Sequence, residues 1–259
     1  GLIGYVGTPT CVAALPLIVD AKIPFFGPFT GAEALRDPFS KWVFHLRASY
    51  YDETGLIVKQ LTSLGLKKIA VFYQNDAYGK AGLEGVKRAL KPLGLEPIAL
   101  GTVERNTVDV AKAVAEITPK MPDAIVQISA YKSCAAFIRA ARKAGFGGTF
   151  YNVSFVGTKA LADELGADAR GVVVSQVVPF PFTTTTPISR EYLDAVSKAG
   201  PEAQPNYSSM EGYLSAKVFA EGLRRAGRNP SRDSLVNALE SIQNANFGGF
   251  RVDFSPKDH

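Results

Sequence analysis

The sequence predicts an α/β protein built on parallel β-sheets. Short runs of β-branched and aromatic residues alternate with segments of helical periodicity, the pattern of strand–helix–strand units. The predicted strands are apolar almost throughout, as expected where helices cover both faces of a sheet. With 259 residues, 46% of them hydrophobic and 20% charged, the chain is long enough for one large domain or two lobes and too apolar for disorder.

The strands and helices follow one another in a regular cycle. The predicted strands are residues 2–6, 23–26, 43–47, 68–73, 96–103, 124–129, 150–153 and 171–178. The predicted helices are residues 11–20, 49–64, 79–93, 108–119, 133–144, 158–165, 188–198, 209–226 and 231–242. Ser49, with Asp52 three positions later, forms a capping pair at the start of the second helix.

The composition changes after the last of these strands. Residues 179–187 are rich in proline and threonine, which fits neither a helix nor a central strand. The remainder is helical until an extended stretch at residues 251–254. We therefore expect residues 179–187 to mark a boundary between lobes.

Charge and targeting features narrow the possible partners. The net charge of +5 does not indicate a nucleic-acid partner, because the basic residues are spread along amphipathic segments instead of clustering.

No apolar run approaches the roughly 20 residues that span a bilayer. No secretory signal precedes Gly1, and the chain stops in mid-motif at His259, so we expect an internal piece of a longer protein. Cys11 and Cys134 are expected to be separate buried thiols.

No catalytic residue is apparent. His45 and His259 have no neighbouring His, Cys or carboxylate at metal-ligand spacing. Gly79, Gly82 and Gly85 superficially suggest a nucleotide loop, but they lack the tight Gly-x-Gly turn that a pyrophosphate requires. We therefore expect no enzyme activity, no metal and no cofactor.

Hydroxyl-bearing residues follow the first two predicted strands. Thr8 and Thr10 come after the first strand, and Phe29, Thr30 and Gly31 come after the second. Amides and hydroxyls at the start of a helix suit an anion, and the carboxyl edge of a parallel sheet is the usual ligand position. A carboxylate pocket is therefore plausible here. The alternative is that Thr8 or Thr10 only caps the helix.

A second group of candidates follows strands in the middle of the chain. Tyr78, Tyr131, Ser154 and Phe155 each come directly after a predicted strand. Together they would form an aromatic wall with a few hydroxyls. The alternative for each residue taken singly is ordinary packing at the sheet edge.

Several loose motifs occur in a characteristic order along the chain. They are Gly7-Thr-Pro-Thr10, Phe44-x-x-Arg47, Asp76-Ala-Tyr-Gly79, Pro122-Asp-Ala-Ile125, Glu211-Gly-Tyr-x-x-Ala216 and Gly248-x-x-x-Val-Asp-Phe254. This series resembles the leucine/isoleucine/valine-binding protein family, the type I periplasmic solute-binding proteins. The resemblance covers essentially the whole chain.

The resemblance implies two Rossmann-like α/β lobes with parallel sheets, joined by three crossings, with a ligand cleft between them. Residues 1–48 and 179–250 would form lobe 1, with about 70 residues missing at its N-terminal side, so the chain would be a truncated piece. Residues 49–178 would form lobe 2, and residues 251–259 would begin the final crossing.

The implied function is that of the solute-binding component of an ABC importer in the periplasm. Such a protein captures a small hydrophobic or aromatic carboxylate or amino acid by hinge closure and passes it to permease subunits in the membrane. The alternative is a ligand-sensing domain of a regulator or receptor with the same fold.

The resemblance also assigns roles to single residues. Thr8 and the turn 29–31 would hold the ligand carboxylate, while Tyr78 and Tyr131 would close over it. Amino-acid binders pair the ligand ammonium with a carboxylate at the position that Ser154 occupies here. Either Glu211 supplies that charge, or the ligand is not an α-amino acid. We favour a solvent-facing Glu211 in the first turn of its helix, and hence a simple carboxylate ligand. The full predicted ligand-binding set is Thr8, Thr10, Phe29, Thr30, Gly31, Tyr78, Tyr131, Ser154, Phe155 and Glu211.

Overall fold

The computed structural model describes every residue from Gly1 to His259. Its strands are β1 (Leu2–Ile3), β2 (Phe25–Phe26), β3 (Val43–Phe44), β4 (Ile69–Gln74), β5 (Ala99–Val103), β6 (Ala124–Ile128), β7 (Thr149–Asn152), β8 (Val172–Val174), β9 (Ala245–Phe247) and β10 (Phe250–Val252). Its helices are α1 (Thr8–Asp20), α2 (Tyr50–Ser63), α3 (Ala77–Leu90), α4 (Ala111–Ile117), α5 (Tyr131–Lys143), α6 (Thr158–Leu165), α7 (Pro187–Lys198), α8 (Tyr207–Ala226) and α9 (Arg232–Glu240). The predicted α/β class with parallel sheets is confirmed.

The chain divides into two compact units. Unit 1 comprises Gly1–Thr30, Ala34–Arg47 and Val178–His259, and unit 2 comprises Gly31–Glu33 and Ala48–Val177. The proline- and threonine-rich residues 179–187 therefore lie in unit 1, directly after the chain leaves unit 2. None of the helices in either unit combines the length and the hydrophobicity needed to cross a lipid bilayer.

Unit 2 is built around a five-stranded sheet with the order β5-β4-β6-β7-β8, in which all neighbours are parallel. Side chains alternate between its faces. Ala70 and Phe72 pack towards α4, α5 and α6, whereas Ile69 and Val71 pack towards α2 and α3. The chain changes direction across the sheet between β4 and β6. Such a switch point opens a crevice at the carboxyl ends of its two strands.

Helix α3 carries glycines on the face that it packs against its neighbours, namely Gly79, Gly82 and Gly85. A Cβ atom on Gly79 would lie 1.9 Å from the carbonyl oxygen of Gln74, and one on Gly85 would lie 2.4 Å from Oγ1 of Thr54. Close packing of the helix therefore accounts for the glycine spacing that superficially suggests a nucleotide loop.

Unit 1 contains a three-stranded parallel sheet with the order β1-β2-β3 and an antiparallel pair formed by β9 and β10. In β2 and in β3, the two residues of the strand point to opposite layers. Phe25 and Val43 pack with α1, and Phe26 and Phe44 pack with residues of α8 and α9. Residues 251–259 belong to this unit, and Phe254 is buried in its core.

Several predicted boundaries were wrong for local reasons. The strand predicted over residues 2–6 ends at Ile3, because Gly4 adopts a φ of 87° that no strand accommodates. The helix predicted from Cys11 begins at Thr8, with Gly7 as its N-cap. The strand predicted over residues 43–47 is limited to Val43–Phe44, and that over 171–178 to Val172–Val174.

One helix start was predicted correctly, together with its mechanism. The hydroxyl of Ser49 accepts a hydrogen bond from the backbone N–H of Asp52 at 3.1 Å, and the Asp52 carboxylate accepts one from the N–H of Ser49 at 2.9 Å. This reciprocal capping box confirms the predicted pair. Cys11 and Cys134 are free, buried thiols, as expected.

Candidate ligand-binding site

Two threonine hydroxyls meet at the carboxyl edge of the sheet in unit 1. Thr8 is the first residue of α1, after β1, and Thr30 lies in the turn after β2. Their Oγ1 atoms are 2.7 Å apart, and the two residues are only 2% and 0% exposed. Because β1 and β2 are parallel neighbours, the segments that follow them lie at the same edge of the sheet.

The start of α1 leaves its amides without a side-chain cap. Gly7 is the N-cap residue, no side chain accepts a hydrogen bond from the first turn, and that turn contains no acidic residue. The alternative that Thr8 caps the helix is therefore wrong. Thr10 is exposed, and its hydroxyl donates instead to the carbonyls of Gly7, at 2.8 Å, and Val6. The partial positive charge of an uncapped helix start favours an anion beside Thr8.

Glu211 forms a buried ion pair in the same unit. Arg47 donates from Nε to Oε1 of Glu211 at 2.8 Å and from Nη2 to Oε2 at 2.9 Å. The two side chains are 1% and 8% exposed. The Arg47 guanidinium also stands 4.5 Å from the ring centre of Phe29. The expectation that Glu211 faces solvent was wrong, because Arg47 neutralises its charge inside the protein.

Aromatic rings gather at the carboxyl edge of the sheet in unit 2. Tyr78 is 2% exposed, and its ring centre lies 5.4 Å from that of Tyr50 and 4.6 Å from that of Phe155. The Asp76 carboxylate fixes the start of α3 by accepting a hydrogen bond from the N–H of Tyr78 at 2.9 Å. Gly31 lies against this cluster, since a Cβ atom there would be 2.8 Å from the amide nitrogen of Tyr50.

Tyr131 lies apart from that cluster. It is the first residue of α5, is half-buried and packs against the core on the other face of the sheet. It makes no ring contact with Tyr78 or Phe155. Tyr78 and Tyr131 nevertheless follow β4 and β6, the two strands that flank the switch point.

Ser154 contacts a buried carboxylate that sequence reasoning missed. Glu53 of α2 is 3% exposed, and its Oε2 accepts a hydrogen bond from the N–H of Ser154 at 2.7 Å. The Ser154 hydroxyl donates to Oε1 at 3.0 Å, and the Ser175 hydroxyl donates to Oε2 at 2.5 Å. Nothing in the local pattern distinguishes Glu53 from other acids in a first helical turn, so no sequence signal could have found it.

Polar groups outside these clusters include a buried histidine. Burial, helped by the positive charge of the Arg36 guanidinium, lowers the pKa of His45 to about 3, so the ring is neutral near pH 7. No group of three or more His, Cys, Asp or Glu side chains is arranged to hold a metal ion. A surface cavity of about 700 Å³ in unit 2 contains none of the candidate residues; its lining is Lys87, Lys91, Gly94, Leu95, Glu96, Pro97 and Leu100.

The geometry and the order of elements match one protein family along the entire chain. A family model described as periplasmic binding protein matches residues 1–259. The chain belongs to this family. The resemblance to leucine/isoleucine/valine-binding proteins is thereby confirmed, and so is the type I periplasmic binding protein fold.

Curated relatives of this periplasmic binding protein share about a quarter of its residues in the matched region. The Leu/Ile/Val-binding protein homolog 7 of Brucella melitensis is 24% identical over 98% of this chain and 68% of its own length. Counterparts from Brucella suis and Brucella abortus are 25% identical, and the chain spans only 60% of their length.

Solved structures of the family are similar over nearly the whole chain. A possible leucine/isoleucine/valine-binding protein from Rhodopirellula baltica is 36% identical, with a TM-score of 0.94 over 99% of this chain and 71% of its own. A substrate-binding periplasmic protein from Ralstonia solanacearum is 32% identical, with a TM-score of 0.90 over 98% of this chain and 74% of its own. The family is one of solute-binding proteins and not of enzymes.

Proposed function

We propose that this periplasmic binding protein is the solute-binding component of an ABC importer and works in the periplasm. It captures a small hydrophobic or aromatic carboxylate or amino acid and delivers it to permease subunits in the membrane. Its lobes would be residues 1–48 with 179–250 and residues 49–178, with residues 251–259 beginning the final crossing. Capture would proceed by hinge closure, with the bound solute favouring the closed state.

The observation that carries the proposal is the Thr8–Thr30 hydroxyl pair beside the uncapped start of α1. Helix amides and hydroxyls together suit a carboxylate group. The Tyr78–Phe155 ring pair suits an apolar or aromatic side chain. The Rhodopirellula baltica relative, described as a possible leucine/isoleucine/valine-binding protein, supports a solute of this class.

The first test identifies the solute. Mass spectrometry of material released from the denatured, purified protein should find a small carboxylic acid or amino acid. Steady conversion of that solute by the protein, abolished by a point mutation at the candidate site, would contradict a binding function.

The second test concerns the carboxylate site. Thr8→Val should weaken solute binding by about 1–3 kcal/mol in calorimetry, because it removes a hydrogen bond to a charged group. The matched control is Thr62→Val in α2, whose hydroxyl donates to the carbonyl of Val58 within its own helix at 2.8 Å. Unchanged affinity in Thr8→Val, or unfolding as its main effect, would refute the proposed carboxylate site.

A further inference from the structure

Three neighbouring loops of unit 2 meet at one end of its five-stranded sheet. The strands β5, β4 and β6 run parallel in that order, so they begin side by side. The segments that precede these strands are residues 91–98, 64–68 and 118–123. We call their common surface the amino edge. It lies at the opposite end of the sheet from Tyr78 and Ser154, which follow strands.

Positive charge is in excess at the amino edge. The three segments carry the exposed lysines Lys67, Lys68, Lys91 and Lys120. Their only acids are Glu96 and Asp123, and Asp123 also accepts hydrogen bonds from the backbone N–H groups of two of these lysines. The lysines are 20 or more residues apart in the sequence, apart from one adjacent pair, so the fold gathers a charge that the sequence disperses.

Each of the three loops also exposes one large apolar side chain. Leu64 is 63% exposed, Leu93 is 53% exposed and Met121 is 71% exposed. Met121 adopts a φ of 47°, in the left-handed region that favours glycine or asparagine. Neither backbone conformation nor burial within unit 2 therefore favours a methionine at this position. A partner that covers its side chain would supply a reason for it.

The surface cavity of about 700 Å³ adjoins the amino edge, between the end of α3 and the edge strand β5. Its lining places Lys87 and Lys91, one helical turn apart, beside Leu95, Pro97 and Leu100, with Glu96 as its one acid. Ammonium groups next to apolar side chains suit a molecule that carries negative charge beside hydrocarbon.

We propose that the amino edge of unit 2 is a docking surface for a membrane that contains anionic phospholipids. The lysines contact the lipid phosphates, and Leu64, Leu93 and Met121 enter the boundary between headgroups and acyl chains. Protein interfaces separate an apolar centre from a charged rim, whereas each of these loops presents both kinds of side chain. This role goes beyond the proposed function, because it involves neither the solute nor the candidate ligand-binding residues.

Flotation of the purified protein with lipid vesicles tests the proposal. One set of vesicles contains phosphatidylglycerol and phosphatidylcholine in equal parts, and the other contains phosphatidylcholine alone. We expect the protein to float with the first set and to stay in solution with the second. Raised salt should weaken the binding without abolishing it, because salt screens the lysines and not the apolar contacts.

A charge variant assigns the binding to the amino edge. It combines Lys67→Gln, Lys91→Gln and Lys120→Gln. A lysine near an anionic membrane surface strengthens binding by about fivefold, so the three changes together should weaken partition into the vesicles by roughly a hundredfold.

The matched control removes the same net charge at the other end of the sheet. It combines exposed lysines from the first turns of α3, α4 and α5, namely Lys80→Gln, Lys112→Gln and Lys132→Gln. This control should lose no more than about fivefold in partition, because its lysines lie away from the docked surface.

Met121→Asn tests the apolar contribution separately from stability. Asparagine tolerates the left-handed backbone conformation, so the midpoint of thermal unfolding should not fall. Partition into the anionic vesicles should nevertheless weaken by several-fold at both low and high salt, because the lost contact is apolar.

Three results would overturn the proposal. The first is equal partition of the wild type into the two sets of vesicles, or none into either. The second is an equal loss in the charge variant and its control, because net charge alone would then explain the binding. The third is unchanged partition of folded Met121→Asn, which would contradict apolar insertion and with it a membrane as the occupant. None of these results bears on solute binding, which is measured without lipid.

Discussion

Removing the charge of the buried Glu211 should destabilise unit 1 far more than removing the charge of an acid whose ion-pair partners are exposed to solvent. Glu211→Gln keeps the size and shape of the side chain. It converts one of the two oxygens that accept hydrogen bonds from Arg47 into an amide NH₂, so that this NH₂ donor faces an N–H donor of Arg47. It also removes the carboxylate charge that faces the Arg47 guanidinium, whose side chain is 1% exposed. The perturbation is therefore electrostatic and barely alters packing.

The magnitude follows from the burial of the pair. Breaking a buried ion pair by removing one partner costs about 3–5 kcal/mol, because the remaining charge stays desolvated. For a chain of this length, each kcal/mol lowers the midpoint of thermal unfolding by about 2–4 °C. We therefore expect Glu211→Gln to lower the midpoint by about 10 °C.

Glu221 in the same helix α8 provides the matched control. Its carboxylate accepts three hydrogen bonds, two from Arg224 and one from Arg225, and these lower its pKa to about 2. The Arg224 side chain is nevertheless 73% exposed, so solvent screens the interaction. Glu221→Gln should therefore cost no more than about 1 kcal/mol, although Glu221 accepts more hydrogen bonds than Glu211.

Urea denaturation and thermal unfolding of both variants measure the difference directly. The double variant Arg47→Met, Glu211→Leu removes both charges and should recover most of the lost stability, since apolar replacements of buried pairs are often neutral. Equal effects of Glu211→Gln and Glu221→Gln would refute the reasoning, because burial would then not determine the energy of the pair.

Two further predictions concern packing and pH. Gly79→Ala should lower the free energy of unfolding by more than about 3 kcal/mol or prevent folding, because its Cβ atom would lie 1.9 Å from the Gln74 carbonyl oxygen. Gly55→Ala in α2 is the matched control, since no atom lies within 4 Å of its Cβ position, and it should stabilise the protein by about 1 kcal/mol. Chemical denaturation of both variants measures the two effects. The pKa of His45 falls from its usual 6.5 to about 3 on folding, so below pH 6.5 the unfolded chain binds more protons than the folded protein. The contribution of the neutral His45 to stability is therefore fully present above pH 6.5 and is lost as the pH falls towards 3. Between pH 6 and 5, His45→Gln should remove up to about 1.4 kcal/mol per pH unit of this decline, and identical slopes for the variant and the wild type would contradict the assignment.

The fold was predictable because its signals are local. The helix α6 has the predicted bounds, and β6 differs from its prediction by one residue. For the hairpin of β9 and β10, only an extended stretch at residues 251–254 was predicted, and β9 was not. Gly248 and Gly249, with φ values of 68° and 102°, nevertheless form the two-residue Gly-Gly turn that indicates a hairpin in a sequence. The early end of β1 was not predictable in the same way, because a single Gly4 is compatible with a strand.

The candidate site was predictable only where its contacts are close in sequence or lie at equivalent strand ends. Thr8 and Thr30 follow adjacent parallel strands, so the order of elements alone brings them to one edge. Glu53 and Glu211 each stand in the opening turns of a helix, where an acid is favourable for reasons that have nothing to do with a site. Their partners lie 101 and 164 residues away.

The neighbours Asp52 and Glu53 make the difference plain. Asp52 contacts a residue three positions away, and its capping role was deduced from that spacing. Glu53 stands one position further along the same helix, and the fold turns it towards β7 and β8, where it accepts hydrogen bonds from Ser154 and Ser175. The residue at position 154 therefore says little by itself about the charges around it, because the Glu53 carboxylate of another element lies within hydrogen-bond distance of Ser154. Ligand charge in such a protein has to be inferred from the side chains that surround a position in the folded structure, and not from the residue at that position alone.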